Sequence, residues 1–525
     1  MKLTLNPELQ ATLTAVVEGL VTSEIASRIS EKDDSIWGVA AQPEASIRLG
    51  WVDSFKEAVN LIPAIVNLRD SLREKGIDRI VLCGMGGSSL APEVITKNSG
   101  VELVVLDSTA PDQVAAAVIE LERTAVVVSS KSGSTVETDS QKRAFEQAFR
   151  DAGIAVTERM IIVTDPGSPL DTASREAGYQ VFNADPNVGG RYSALTAFGL
   201  VPSGLAGADI AALVSSAMQA APTFGFDSTD NPALWLGAVF ARTPGTHGYR
   251  DKFLIETDYL PGFGDWAEQL VAESTGKDDL GILPVVVSSK APELTLDLGD
   301  TITIRYGDSD STPQHVTFSG DLGELFLLWE HATAVAGYLM GINPFDQPNV
   351  ESAKVAAREL LDSPAAASEI DFVDRSVAVK AYGFDVVGST VEAAIEQLIA
   401  QANALTYFSI QVYLNRAEYP QFEALRDLLA TRTQRPVTFG WGPRFLHSTG
   451  QYHKGGPKQA LVIQITGEFG HDLEVPGRPF SFGTLINAQA LGDANVLSDN
   501  GLKVVSLRFS EPLSGLELLN KVIAS

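Results

Sequence analysis

Val126–Asp139, with the sequence VVVSSKSGSTVETD, is the stretch around which the rest of the chain is organised. Its apolar, β-branched run ends at Ser129, small and hydroxyl residues follow to Thr135, and a helix-compatible segment begins near Val136. This order predicts a buried strand, a loop and the N-terminus of a helix. Backbone N–H groups and the positive end of a helix dipole meet at such a place, so the loop is a candidate site for a phosphate monoester.

Hydroxyl side chains crowd the same loop, which is a second reason to expect an anion there. They belong to Ser130, Ser132, Ser134 and Thr135. The loop lacks the GxxxxGK[ST] spacing, so a nucleotide P-loop is not indicated. A polar strand-to-helix connection with an ordinary N-cap is the alternative, and these residues alone leave both interpretations open.

Length and charge limit the classes of protein that this sequence can encode. A chain of 525 residues is too long for one hydrophobic core, so roughly two to four domains are expected. The composition, 45% hydrophobic and 20% charged, is that of a globular protein. The net charge of −27 argues against nucleic acid and against an anionic membrane as partners. An anionic substrate must therefore be held by local donors.

The single cysteine and the apolar segments predict a cytoplasmic protein. Cys83 lies in an apolar run and is expected in the core, and one cysteine cannot form an internal disulfide. The first residues, MKLTLNPELQ, lack the apolar core of a signal peptide. Leu325–Ile342 is interrupted by Glu330 and His331, so it is predicted to be a buried helix rather than a membrane span.

Short apolar strands alternate with helical stretches from Arg79 onward, which predicts an α/β protein with parallel, doubly wound sheets. A first unit has predicted strands at Arg79–Cys83, Glu102–Leu106, Ala125–Ser129, Met160–Thr164 and Tyr179–Phe182. A second unit has them at Lys252–Glu256, Leu283–Val287 and Thr301–Arg305, and a third portion at Tyr407–Tyr413, near Val437, at Ala460–Ile465 and at Val504–Phe509. The Gly-, His- and Lys-rich stretch Thr449–Lys458 is predicted to be a loop.

These patterns predict four consecutive regions. They are an N-terminal helical segment 1–75, a first α/β domain 76–204 with the phosphate loop, a second α/β domain 205–365, and a C-terminal α/β portion 366–525.

A glycine-rich turn follows the first predicted strand. Residues 84–90, GMGGSSL, resemble a dinucleotide fingerprint, but Ser89 stands where the third glycine is required, so the sign of a nicotinamide site is weak. A better interpretation is that Gly86, Gly87 and Ser88 let the backbone approach a substrate beside the phosphate loop.

Two further motifs carry groups suited to proton transfer. Residues 189–191, GGR, bring Arg191 to the same sheet edge, where it can stabilise developing negative charge or simply lie in a surface turn. In the motif QxxxESxGK, Gln269 and Glu273 are one helical turn apart and share a face. Glu273 is a candidate general base, although most glutamates are only solvated.

The motif NPFDQPNVESAK, residues 343–354, places Gln347 and Lys354 on one helical face. An amide and an ammonium so placed can hold a sugar phosphate or move protons in a ring opening. A capped helix is the other interpretation.

Five motifs occur here in the order in which similar motifs occur in the glucose-6-phosphate isomerase (phosphoglucose isomerase) family. They are GGS, SKSGSTVET, VGGRYSALTAFGLVP, ESTGK and NPFDQPNVESAK. The resemblance covers roughly residues 50–365. The downstream part, with RFLHSTGQYHKGGP, resembles the isomerase half of bacterial transaldolase/glucose-6-phosphate isomerase fusions, and no transaldolase half is recognisable beside it.

The resemblance implies two sugar-isomerase (SIS-like) domains followed by the C-terminal α/β portion. It implies reversible aldose–ketose isomerisation of glucose 6-phosphate and fructose 6-phosphate through a cis-enediol(ate), in glycolysis and gluconeogenesis. It also implies that the partner is a small sugar phosphate. The six histidines and one cysteine form no metal-ligand pattern of recognisable spacing, so neither a metal ion nor another cofactor is expected. A homodimer is compatible with it, and mannose 6-phosphate is left open as an additional substrate.

The resemblance also implies a set of site residues. Substrate-binding residues would be Gly87, Ser88, Ser130, Lys131, Ser132, Thr135, Glu137, Gln269 and Gln347. Arg191 matches the arginine that steadies the enediolate, and Glu273 matches the base that carries a proton between C1 and C2. Lys354 matches the lysine beside the ring oxygen.

The ring-opening histidine departs from the family's pattern. In the family it lies in a GQH context between the ESxGK and FDQ motifs, and here that interval holds only His315 and His331, neither in that context. His331 is expected to face the core. The candidate is His447 in FLHSTGQ, with His453 as the alternative. The family's histidine comes from the partner subunit, so a chain that uses His447 completes its own site, and the oligomeric state is left open.

Three rival functions rank below the isomerase. A non-catalytic sugar-phosphate sensor of the SIS type would keep the phosphate loop but have no use for Glu273 and Lys354. An amidotransferase-type isomerase domain would need a glutaminase half with an N-terminal cysteine. An NAD enzyme would bind nicotinamide at the turn after Gly84.

Overall fold

The structure, a computed structural model, describes residues 1–296, 298–307, 316–349, 360–361 and 370–525. Within these residues the strands form two five-stranded sheets, one six-stranded sheet and a two-stranded ribbon of Pro244–Gly245 with Gly248–Tyr249. Helices pack against the sheets. The predicted α/β class is confirmed.

The first sheet is parallel throughout and carries the candidate phosphate loop. Its strands, in spatial order, are Val104–Leu106, Arg79–Gly84, Thr124–Ser129, Met160–Thr164 and Gln180–Asn183. Counted along the chain, this is the order second, first, third, fourth, fifth, which is a doubly wound arrangement. The direction of winding reverses between Arg79–Gly84 and Thr124–Ser129.

Side chains of the first sheet alternate between two cores. Ile80 and Leu82 belong to the larger core, whereas Val81 and Cys83 belong to the core that includes the apolar side of the helix Val136–Asp151. Because both faces of the sheet are covered, each strand needs apolar residues at consecutive positions. This explains the unbroken apolar runs of the sequence and confirms that Cys83 is buried.

The second sheet is parallel except for one edge strand. Its strands, in spatial order, are Lys2–Leu5, Val316–Ser319, Thr301–Tyr306, Lys252–Glu256 and Leu283–Val287. Lys2–Leu5 pairs antiparallel with Val316–Ser319. The prediction of helix throughout residues 1–75 is wrong here, because a four-residue edge strand carries too little periodicity to be recognised in sequence.

The third sheet is mixed. Its strands, in spatial order, are Phe372–Asp374, Val377–Tyr382, Lys503–Phe509, Ala460–Gly467, Tyr407–Tyr413 and Val437–Trp441. The first two pair antiparallel and were not predicted from sequence, and the others lie where parallel strands were expected.

The third sheet packs on the second sheet. Leu254 and Val285 of the second sheet share one core with Tyr407 and Val462 of the third. The short helical turn Arg444–His447 follows the strand Val437–Trp441. The contact between the sheets therefore brings this turn close to the first two units.

The helices precede, connect or follow the strands of the three units. They are Pro7–Thr22, Ile25–Ser30, Gln42–Ala45, Ser54–Glu74, Leu90–Ser99, Pro111–Ala117, Val136–Asp151, Pro169–Glu176, Ala197–Ala206, Ile210–Phe224, Pro232–Arg242, Phe263–Thr275, Leu322–Met340, Val391–Ile399, Ala424–Thr433, Gly450–Gly455, Phe482–Asp499 and Pro512–Ala524.

The prediction that Thr449–Lys458 forms a loop is wrong, because Gly450–Gly455 is a buried helix. Glycines in and beside this helix allow close packing. A Cβ on Gly276 would lie 2.4 Å from the Cα of Tyr452, and one on Gly455 would lie 2.4 Å from Oδ1 of Asn349. The glycines let backbone segments approach closely. Composition alone cannot distinguish glycines with this role from glycines that form a turn.

Leu322–Met340 is a buried helix, as predicted, and no helix of the described residues is long and apolar enough to cross a membrane.

Candidate active site

Three polar turns lie together at the carboxyl edge of the first sheet. The turn Gly86–Ser88 follows the first strand of the unit, the loop 130–135 follows Thr124–Ser129, and the turn Gly190–Tyr192 follows the last strand. The first two flank the position where the winding of the sheet reverses. Doubly wound sheets bind their ligands at this position, so the topology and the motifs indicate the same site.

The loop 130–135 is organised by its own hydroxyl groups. Ser130 Oγ donates to Thr135 Oγ1 at 3.3 Å and accepts from the N–H of Gly133 at 3.1 Å. The hydroxyls of Ser132 and Ser134 are 2.7 Å apart. The side chain of Thr135, the N-cap residue of the helix that follows at Val136, makes no cap hydrogen bond. The first N–H groups of this helix are therefore suited to an anion.

Lys131 points to neighbouring loops of the same edge. Its Nζ donates to the carbonyl oxygen of Pro186 at 3.1 Å and lies 2.6 Å from Oδ2 of Asp165. The backbone oxygen of Lys131 accepts from Asp165 N at 3.2 Å. Lys131 thus holds the loop against the next two loops of the sheet, and phosphate contact by its ammonium is still a prediction.

The turn Gly86–Ser88 is in close contact with the turn Gly190–Tyr192. A Cβ on Gly87 would lie 2.0 Å from the carbonyl oxygen of Gly190, and Gly86 has a positive φ of 55°. A Cβ on Gly86 would lie 2.7 Å from the backbone oxygen of His447. The glycines therefore allow three segments to meet, which agrees with the close-approach interpretation of this turn. Ser88 is half-buried beside them.

Arg191 is buried and uses its whole guanidinium group. Nε donates to Ser274 Oγ at 2.7 Å, and Nη1 donates to Oε1 of Gln347 at 2.8 Å. Nη2 donates to the carbonyl oxygens of Pro344 at 2.8 Å and Asp346 at 3.0 Å. The planar fork of arginine fits this set of acceptors, so its side chain is rigidly positioned.

Glu273 lies beside this arginine. Its Oε1 is 3.4 Å from Nη1 of Arg191, and its side chain is 13% exposed. Gln269, one turn earlier on the helix, donates from Nε2 to Oε2 of Glu273 at 3.0 Å and to the backbone oxygen of His447 at 2.8 Å. The structure therefore brings Gln269, Glu273, Arg191 and Gln347 together.

Lys277, at the end of the ESTGK motif, binds the same loop as Arg191. Its Nζ donates to the backbone oxygens of Asn343 at 2.5 Å and Asp346 at 2.7 Å, and to Oδ1 of Asp346 at 2.5 Å. Burial, and then the nearby charge of Arg191, lower the pKa of Lys277 to about 8. Lys354 lies outside the described residues, and Gln347, which was predicted to share a helical face with it, is not part of a helix.

His447 reaches the first sheet from the third unit. Its Nε2 lies 2.9 Å from Oε1 of Glu137, on the first turn of the helix that follows the phosphate loop. The same oxygen accepts from Nε2 of Gln489 at 2.7 Å. The histidine candidate therefore lies beside the first turn of the helix that follows the loop 130–135, within one chain.

The alternative candidate, His453, is corrected by the structure. It is buried and its Nδ1 bonds to the hydroxyl of Tyr407 at 2.7 Å, and burial lowers its pKa to about 3. Its ring is part of the interior of the third unit. His331 is also a core residue, as predicted, and burial lowers its pKa to about 4. His315 lies outside the described residues.

Three residues that support the candidate site were not predicted from the sequence. Ser274 stands inside a quoted motif, and its bond to Arg191 could have been suspected from position alone. Gln489 lies in the mostly buried helix Phe482–Asp499 and has no local signal. Arg444 contacts Glu93 at 2.6 Å and Asp107 at 2.6 Å, and only tertiary structure joins these positions.

Comparisons with known proteins point to one family. The family model of phosphoglucose isomerase matches residues 68–319 and 305–379. A probable glucose-6-phosphate isomerase of Methanococcus maripaludis is 27% identical over 364 residues, 57% of this chain and 82% of the relative. One of Haloarcula marismortui is 32% identical over 212 residues, 39% of this chain. That match spans about half of the Haloarcula protein, 49% of its length.

Solved structures share the fold. A glucose-6-phosphate isomerase from Chlamydia trachomatis aligns with a TM-score of 0.52 and 19% identity over 68% of this chain and 87% of that one. A hypothetical protein from Thermus thermophilus aligns with a TM-score of 0.56 and 23% identity, covering 69% of this chain and 100% of that one. At these identities the likeness concerns the fold.

Proposed function

The chain belongs to the phosphoglucose isomerase family, and from this premise we propose that it interconverts glucose 6-phosphate and fructose 6-phosphate. The observation that carries the proposal is the pair of Glu273 and Arg191, 3.4 Å apart at the same sheet edge as the phosphate loop. A base beside a fixed cation is what proton transfer through an enediolate requires, because the cation stabilises the negative charge that forms.

The phosphate group of the sugar would bind in the loop 130–135. Its donors are the hydroxyls of Ser130, Ser132 and Thr135 and the N–H groups at the start of the helix Val136–Asp151. Local donors are needed because the chain carries a net charge of −27. Gly87 and Ser88 lie at the adjacent turn, where backbone can approach the sugar.

Ring opening moves a proton from the C1 hydroxyl to the ring oxygen while the bond between C1 and that oxygen breaks. We assign the help in this step to His447 and Lys354. The support for His447 is its contact with Glu137, whose helix begins directly after the phosphate loop. The support for Lys354 is its motif in the sequence.

Isomerisation then moves one proton between neighbouring carbons. Glu273 removes the proton from C2 of the open-chain aldose, and the electrons pass to the carbonyl oxygen, which gives a cis-enediol(ate). Arg191 stabilises the developing charge, and Gln269 and Gln347 hold the two charged side chains in place. A proton passes from the hydroxyl on C2 to the oxygen on C1, and Glu273 returns its own proton to C1, which leaves a carbonyl at C2 and a hydroxyl at C1.

A non-catalytic sugar-phosphate sensor is the alternative, and the site argues against it. A sensor needs the phosphate loop but has no use for a 13% exposed carboxylate beside a buried arginine. Keeping both charges largely out of water has a free-energy cost that a binding role does not explain.

Replacement of Glu273 by Gln tests the proposed function. The amide keeps the shape but cannot accept the proton, so kcat should fall by about 10²–10⁴-fold while substrate still binds. Glu268→Gln is the matched control on the same helix. Burial and the neighbouring Asp265 raise the pKa of Glu268 well above its ordinary value, so a neutral amide there resembles the state that it already favours.

Near-normal isomerisation by Glu273→Gln would contradict the role of this residue. Calorimetric binding of fructose 6-phosphate without turnover by the unmodified protein would favour the sensor.

We also propose that one chain forms a complete site, because His447 and Glu137 belong to the same chain. The homodimer that the family resemblance allows would then repeat this site rather than create it. A cytoplasmic location fits a single, buried cysteine.

A further inference from the structure

We propose that Gln489 is a positioning residue for this reaction, which orients Glu137 and thereby keeps the proton of neutral His447 on Nε2. The inference rests on the role proposed above for His447. It concerns a residue of the third unit that belongs to none of the sequence motifs.

The observation is a line of hydrogen bonds that runs from the first sheet to the histidine. Thr109 Oγ1 donates to Oε1 of Gln489 at 2.7 Å. Gln489 Nε2 donates to Oε1 of Glu137 at 2.7 Å, and Nε2 of His447 lies 2.9 Å from that oxygen. Thr109, Gln489 and Glu137 are 0%, 4% and 5% exposed.

Donor and acceptor chemistry fixes the direction of these bonds. An ionised carboxylate only accepts hydrogen bonds, so the group of Gln489 that faces Glu137 must be its amide nitrogen. The amide oxygen then faces Thr109, whose hydroxyl can donate. The opposite orientation would place the amide oxygen of Gln489 against the carboxylate oxygen of Glu137, with no proton between them.

The same reasoning assigns the state of His447. Its Nε2 faces a carboxylate oxygen and must therefore carry a proton. In the neutral imidazole Nδ1 is then the nitrogen without a proton, and within the described residues it makes no protein hydrogen bond. Nδ1 is left to accept a proton from the sugar and to return it.

Gln489 is better explained by this task than by packing. The side chains around it on the helix Phe482–Asp499 include the buried Ile486 and Ala490. Burying an amide without hydrogen bonds to both its oxygen and its nitrogen costs free energy, and an apolar side chain would fill such a position without that cost. Gln489 is bonded on both sides, and one of its partners contacts the proposed ring-opening group.

The test compares two buried glutamines of the third unit. Gln489→Leu removes both bonds to the site. Gln464→Leu is the matched control, because Gln464 is 2% exposed and donates to the backbone oxygen of Ala490 on the same helix. Two readouts are needed: kcat for isomerisation, and ¹⁵N NMR of histidine-labelled protein, in which His447→Asn identifies the His447 signals.

We expect Gln489→Leu to lower kcat by about tenfold or more, with the loss of the acid–base group itself, about 10²–10⁴-fold, as the upper bound. The His447 signals should change from protonated Nε2 to a mixture of tautomers. Gln464→Leu should leave both readouts as in the unmodified protein, even where it lowers the melting temperature. Unchanged kcat and unchanged His447 signals in Gln489→Leu would overturn the proposal.

Thr109 offers a second test that does not depend on whether Gln489→Leu folds. Thr109→Val keeps the shape but removes the donor to Gln489, whereas Thr109→Ser keeps the hydroxyl. The valine variant should show the defect in a weaker form and the serine variant should restore activity; equal behaviour of the two would contradict the network. The NMR readout needs no turnover, so this inference and the proposed function can fail separately. An active Glu273→Gln variant would refute the proposed base, whereas the NMR signals of His447 would still decide the tautomer assignment.

Discussion

At the scale of single residues, two buried cations hold one loop of the candidate site. Arg191 and Lys277 both donate to the backbone oxygen of Asp346, and Arg191 also holds Gln347. Arginine keeps its proton at any ordinary pH, but lysine can lose it when buried. The two cations therefore differ in what alkaline pH does to them.

We predict an alkaline limb in kcat/KM near the pKa of Lys277, which burial and Arg191 lower to about 8. Below this pH the ammonium has three protons for its three acceptors, and above it the amine has only two. The loop should then loosen and activity should fall as pH rises. Lys277→Arg should move the limb to higher pH, and Lys454→Arg, at another buried lysine, should leave it in place. A profile that stays level to pH 10 would exclude this role.

At the scale of elements, the site is assembled from turns that touch through their backbones. The turns Gly86–Ser88 and Gly190–Tyr192 approach so closely that no side chain fits between them at Gly87. The second turn carries Arg191. Its distance from the first turn therefore sets where the guanidinium lies relative to the phosphate loop.

Gly87→Ala should separate these turns, because its Cβ would lie 2.0 Å from the carbonyl oxygen of Gly190. We expect lower kcat/KM and a loss of stability of about 1–3 kcal/mol, as for other overpacked sites. Gly190→Ala is the control, since a Cβ there meets nothing within 4 Å and the turn keeps its backbone contact. Kinetics and thermal unfolding of both variants check this; similar results for the two would show that the contact does not matter.

At the scale of the whole molecule, Arg444 joins the three units. It contacts Glu93 and Asp107 of the first unit at 2.6 Å each, and Asp265 of the second at 3.3 Å. His447 follows three residues later in the same turn. Burial would raise the pKa of Glu93, but Arg444, Arg416 and Lys97 together hold it below its ordinary value of 4.5.

Arg444→Met should destabilise the protein by about 3–5 kcal/mol, because it leaves buried carboxylates without their cation. Arg508→Met, which removes an exposed pair with Glu468, should cost less than about 1 kcal/mol. The ion pairs lower the pKa of Glu93, so their contribution is present above pH 4.5 and is lost as pH falls. Melting temperatures of the unmodified protein and Arg444→Met should therefore converge in acid; a constant difference would contradict the account.

The sequence by itself predicts whatever depends on neighbouring residues. The strands of the first sheet can be predicted from unbroken apolar runs, because a sheet that is covered on both faces requires an apolar residue at every strand position. The loop 130–135 and the helix after it can be predicted because small and hydroxyl residues come directly after the apolar strand. Glu273 and Gln269 share a helical face at a spacing of four residues, so their contact was also predictable.

The tertiary structure alone decided which distant groups lie together at the candidate site. It buried His453 against Tyr407 and brought His447 beside Glu137. It also brought Gln489 to Glu137, 352 positions away in the chain. No local periodicity encodes such contacts, because they depend on how the third sheet packs on the second. Local patterns specify strands, turns and helix faces, whereas the partner of a buried polar group is fixed only when these elements pack together.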